Sequence, residues 1–145
     1  MSRLSLPQPF EELDHTADVG VLVRGDTAEE TLARLVLALS QLLSGGGALE
    51  PSGSLELEVE PGDRASMAID VLRELLYRFD CEGVIARSCE VARFDPDRGT
   101  TIVIETAPYD PDRHAEGIEL KAVTWHAARF EAEGDRWMAQ IVFDV

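Results

Sequence analysis

Residues 118–145 read IELKAVTWHAARFEAEGDRWMAQIVFDV, two strand-like runs on either side of Gly134-Asp135. Gly and Asp at that position are turn residues, so Ile118 to Glu131 and Trp137 to Val145 are expected to pair as an antiparallel hairpin. With Gly134 and Asp135 as the loop, Glu133 faces Arg136. Counting outward without interruption places Asp144 opposite Trp125 and Val145 opposite Thr124. Period two sends Trp137, Ala139, Ile141, Phe143 and Val145 to one face and Met138, Gln140, Val142 and Asp144 to the other.

Upstream, Val84 to Phe94 and Thr101 to Thr106 flank the turn-rich Asp95-Pro96-Asp97-Arg98-Gly99 and form a second hairpin. Ser54 to Glu60 alternates Leu55, Leu57 and Val59 with acids, the mark of a strand with one wet face. Two segments carry the helical period instead. From Thr27, with Glu30 at capping-box spacing, Leu32, Leu35, Val36, Leu39, Leu42 and Leu43 form one apolar stripe that ends at Gly45-Gly46-Gly47. From about Arg64 to Asp80 the pattern buries Ile69, Leu72, Leu75, Leu76 and Phe79 and exposes Asp70, Arg73, Glu74 and Arg78. Near the start, Phe10 to Leu13 and Val19 to Arg24 read as strands around the acidic turn Asp14-His15-Thr16-Ala17-Asp18. Two helices among about seven mostly hairpin-linked strands predict an α+β fold, with a mixed or antiparallel sheet and both helices packed on it.

At 145 residues the chain is expected to be one domain, residues 1–145. A chain of that length buries roughly 68–70% of its unfolded surface without a disulfide or structural metal. Cys81 and Cys89 have no framework spacing, and neither a signal peptide nor an 18-residue apolar span is present, so a reducing cytoplasmic setting is expected. Thirteen Lys and Arg against 28 Asp and Glu give a net charge of -15. Such a surface repels RNA and DNA before any base is read. It favours a basic protein surface or a divalent cation as partner.

The two acidic elements, Asp14 to Asp18 and the terminal Asp144-Val145, read as halves of one cation site. Oxygen donors suit calcium, magnesium or manganese. An Asp in a loop more commonly caps its own backbone, and that alternative stays open for Asp18 on the residues alone. Zinc is disfavoured, because His15, His114, His126 and the two cysteines lack paired spacing. Lys121, inside Leu120-Ala122-Val123 on a central-looking strand, must reach water or an acid, either in a structural ion pair or against a nucleotide or the carboxylates. His15 is either a donor to Asp18 or a loop histidine satisfied by backbone. Asp70 and Glu74, four apart on one helical face, form a solvated face or a docking surface for a basic partner. Neither a phosphate-binding glycine loop nor a Ser-His-Asp set is visible.

HTADVG at 15–20, LRELLYRF at 72–79, ELKAVTWH at 119–126 and WMAQIVFDV at 137–145 resemble the archease family in order along the chain. Arg73 stands where that family commonly has Asn, and Val19 and Val145 stand where it frequently has Ile. The resemblance implies a non-catalytic accessory protein of the RtcB-type RNA ligase in tRNA splicing and RNA repair, promoting ligase guanylylation and repeated turnover. It also implies a metal site at Asp18, Asp144 and Val145. On the residues, calcium is the ion expected foremost, and Lys121, His15 and Glu74 are candidate contacts to ligase or nucleotide. Rival expectations are a small metal-dependent phosphoester hydrolase and a generic acidic chaperone or interaction module.

Overall fold

The structure is a computed structural model that describes residues 3–15 and 18–145, the side chains of Asp14 and His15 excepted. Its described strands are β1 (Leu4–Ser5), β2 (Glu11–His15), β3 (Asp18–Gly25), β4 (Gly53–Val59), β5 (Val84–Asp95), β6 (Gly99–Pro108), β7 (Ala122–Glu133) and β8 (Arg136–Asp144). Helix α1 (Ala28–Ser44) lies between β3 and β4, and α2 (Arg64–Glu82) between β4 and β5. The strands form two four-stranded sheets, ordered β1-β5-β6-β4 and β2-β3-β8-β7, and every pairing is antiparallel. This is an α+β fold, as the hairpin pattern predicts.

Both helices start where side-chain oxygens replace missing backbone partners. Thr27 accepts the Glu30 N–H at 3.0 Å and Asp63 accepts the Ser66 N–H at 2.8 Å, each holding a free amide of the first turn. Glu30 does not complete a reciprocal cap; its carboxylate lies 3.0 Å from Arg34, one turn on. Gly45 and Gly83 end the helices at φ 65° and 66°, the left-handed region that a residue with a Cβ rarely adopts.

The expected single stripe on α1 is too narrow. Thr31, Ala33, Leu37 and Ser40 are buried along with Leu32, Leu35, Val36, Leu39, Leu42 and Leu43. The helix packs on β5 of the first sheet and on β3 and β8 of the second, so nearly every side of it is covered. Its apolar character all round is what such a position requires. Helix α2 keeps one wet side, burying Met67, Ile69, Leu72, Leu75 and Leu76 and exposing Asp70, Arg73 and Tyr77.

The final hairpin departs from an uninterrupted count. Glu133 faces Arg136 as expected, but the register slips between Thr124 and Arg129, which oppose Val142 and Gln140. Five steps along β7 therefore match two along β8. Trp125 to Ala128 bulge outward, with Ala127 at φ 53° and its carbonyl accepting from Gln140 Nε2 at 3.0 Å. In consequence Asp144 lies opposite Ala122, not Trp125, and the expected pairing of Val145 with Thr124 fails because Thr124 opposes Val142. The strand also begins at Ala122, so Ile118 to Lys121 precede it rather than forming its first turns.

Candidate metal centre

Asp18 is the first residue of β3 and Asp144 the last of β8, and the two strands pair with Asp18 directly opposite Asp144. On β3's other side Asp18 opposes His15, and on β8's other side Asp144 opposes Ala122. One row, His15, Asp18, Asp144, Ala122, thus crosses all four strands at one end of the second sheet. Residues directly opposite in an antiparallel pair carry their Cβ atoms about 4.5–5.5 Å apart on one face, and like charges so placed repel.

Two features bear on whether a cation fits here. Asp18 Oδ1 is buried and has no hydrogen-bond partner among the described residues. A buried carboxylate oxygen without a partner is costly, on the order of 1–3 kcal/mol, so a positive group, which the described side chains do not provide, would be stabilising here. The donor set is all oxygen, the chemistry of calcium, magnesium or manganese. Among the described residues, no three His, Cys, Asp or Glu side chains gather as a metal cluster. Among the described side chains the carboxylates in this row are two, Asp18 and Asp144, placed opposite each other by register. Val145 follows directly on β8 and is 38% exposed.

The remaining candidates distribute unevenly. Lys121 is exposed and stands just before β7, an edge strand, so the expectation of a lysine inside a central strand is corrected. It still borders the centre, because its backbone N–H donates to the Asp144 carbonyl at 2.8 Å. His15 is in the row by its backbone, while its side chain lies outside the described residues. Glu74 is elsewhere: it bonds Arg78 Nε at 3.0 Å and lines a groove with Asp70 and β4 residues. His126 is exposed within the bulge. His114 is 1% exposed, accepting the Asp110 N–H on Nδ1 at 2.9 Å with Nε2 3.0 Å from the Ala48 carbonyl, a structural clamp between two loops.

One support of the centre escapes a sequence reading. Arg73 donates from Nε and Nη2 to the Val123 carbonyl at 3.2 and 3.0 Å, tying α2 to the strand beside the tail. Nothing in the helical pattern marks that bond. Trp125, by contrast, stands 52% exposed on the bulge.

The fold and this row define a small two-sheet α+β protein whose central strands end in facing carboxylates. The archease protein family model matches residues 10–145, and the chain belongs to that family. It is 37% identical over 139 residues to the protein archease of Methanopyrus kandleri, covering 94% of this chain and 99% of that one. Similarity to the Pyrococcus furiosus protein archease is 35% over 140 residues, covering 94% and 98%. The solution structure of Methanobacterium thermoautotrophicum protein 1598 superposes with a TM-score of 0.77 at 27% identity, covering 94% of this chain and 98% of that one. A Thermotoga maritima crystal structure, described as an archease and possible chaperone, shares the fold at a TM-score of 0.64 and 21% identity, covering 97% and 98%.

Proposed function

We propose that this protein is a metal-binding accessory factor, not itself an enzyme, that activates an RtcB-type RNA ligase in tRNA splicing and RNA repair by promoting ligase guanylylation and repeated turnover. The observation that carries the reading is Asp18 facing Asp144 across β3 and β8 with Asp18 Oδ1 buried and without a hydrogen-bond partner among the described residues. Membership of the archease family supports the partner.

Asp18 and Asp144 would hold the cation, with the Val145 α-carboxylate as a third donor; calcium is the first choice and magnesium or manganese the alternatives. When bound, such an ion would supply positive charge that neutralises phosphate oxygens during ligase guanylylation. The protein's own part is positional. β3 and β8 fix the two carboxylates at a strand end, and the hydrogen bond from the Lys121 backbone N–H to the Asp144 carbonyl keeps the ammonium-bearing residue next to them. Lys121 and His15 are the proposed contacts to nucleotide or ligase at this end, and Glu74 a ligase contact on α2. The charge of -15 disfavours direct RNA binding, which leaves substrate recognition to the ligase.

The test is ligase guanylylation in the presence of parent, Asp18→Ala and Asp144→Ala protein across a calcium titration. Loss of a ligand is expected to raise the calcium needed for half-stimulation by at least about tenfold. Equal stimulation by all three proteins would reject the metal role. Steady phosphoester hydrolysis without ligase would favour the hydrolase instead, and ion-independent suppression of aggregation the chaperone.

A further inference from the structure

We propose that the open edge of β4, in the groove between that strand and α2, accepts a basic extended segment of a partner protein as an added strand. The sheet edges carry the argument. Four strands stand at edges: β1 and β4 in one sheet, β2 and β7 in the other. An exposed edge presents a row of unpaired N–H and C=O groups, and proteins blunt it by shortness, bulges or charge. β1 has two residues and β2 five, while β7 is broken by its bulge. β4 is neither short nor bulged, and the charges it carries, Glu56 and Glu58, oppose a like-charged strand but not a basic one. Its seven residues pair with β6 in unbroken register from Gly53 opposite Thr106 to Val59 opposite Thr100, and no strand covers its other side among the described residues.

That open side lines a groove of about 460 Å³ with α2. Leu57 and Val59 give it an apolar lining, and Asp70, Glu74 and Arg78, one turn apart on the helix, form the opposite wall. Addition of an extended peptide uses the free backbone for affinity and flanking pockets for specificity.

Charge complementarity selects the occupant. Glu56, Glu58 and Glu60 line the strand side, and neither they nor Asp70 makes an ion pair among the described residues. Arg78, the one cation among the described residues that line the groove, is held by Glu74 at 3.0 Å and Glu82 at 3.1 Å. A second copy of β4 would set glutamates against glutamates, which like-charge repulsion across paired strands opposes. Lys or Arg at alternate positions of an incoming strand would instead meet them. A protein segment, rather than a nucleic acid, satisfies both the backbone edge and the acidic walls.

The experiment uses the full chain, ¹⁵N-labelled, with a capped heptapeptide alternating Lys and Val as probe. Amide shifts along Gly53–Val59 and the facing side of α2 are expected, with affinity at least about tenfold lower for Glu56→Lys/Glu58→Lys protein and falling with salt. Both positions are exposed, and Glu56→Gln/Glu58→Gln provides a second variant that adds no cation. The same peptide N-methylated at alternate residues keeps its charge but cannot join the ladder, so it is expected not to bind. Equal binding of the methylated peptide, shifts mapping away from β4, or no binding at low salt would each overturn the proposal. Ligase stimulation through Asp18 and Asp144 is read separately and does not depend on these outcomes.

Discussion

At the scale of single residues, Asp18 is placed against stability. It faces Asp144, and one of its oxygens is buried without a partner among the described residues, a placement that combines like-charge repulsion with lost hydration. Asp18→Asn is therefore expected to stabilise the protein in EDTA by about 0.5–1 kcal/mol, measured by urea denaturation, while abolishing any stabilisation by calcium. A variant that loses stability in EDTA would show that Asp18 is a structural cap. The two thiols separate in the same physical way. Burial pushes the Cys89 thiol up to about 12, whereas Cys81 is exposed. A thiol whose folded pKa is raised stabilises the fold fully below its unfolded value, about 8.5. That contribution is lost as pH rises from there to about 12. Native protein at pH 8 is expected to react with one equivalent of a thiol reagent rapidly, through Cys81, and Cys89→Ala to flatten the fall in stability above pH 9.

Among the elements, the β7 bulge decides where the tail lies. Ala127 sits at φ 53°, which costs a residue with a Cβ roughly 1–2 kcal/mol, so Ala127→Gly is expected to raise stability by up to about 1 kcal/mol after the glycine's greater unfolded entropy is subtracted. A loss would mean that the strain is relieved in solution by a different register. Thr27→Ala, which removes the α1 cap, is expected to cost about 1 kcal/mol in the same assay. The elements themselves were legible because local signals specify them: Gly134-Asp135 for the hairpin, Thr27 and Gly45 for the ends of α1. Register was not. The bulge contains no glycine, and its positive φ is enforced by contacts such as Gln140 to the Ala127 carbonyl, which no local pattern encodes. Likewise α1 reads as a striped helix because Leu spacing is local, while its burial on nearly all sides depends on two sheets that assemble around it.

For the whole molecule, the strand order β2-β3-β8-β7 places the last strand inside the second sheet, between β3 and β7. Segments from opposite ends of the sequence are thereby joined, and Ala139, Ile141 and Phe143 are fully buried in the core. β8 cannot be removed without opening the sheet, yet Val145 beyond it is 38% exposed and leaves room for added chain. An extension after Val145 should therefore separate folding from ion binding: it converts the α-carboxylate into an amide while leaving every β8 pairing intact. The protein carrying such an extension is expected to match the parent's melting temperature in EDTA. In calcium, the parent should gain stability as RT ln(1 + [Ca]/Kd), about 2.7 kcal/mol at a hundredfold excess over Kd, and the extended protein markedly less. A tag before Met1 should leave the full calcium response. Equal calcium stabilisation in both tagged proteins would remove the terminal carboxylate from the ligand set and leave Asp18 and Asp144 to bind the ion with backbone and water alone.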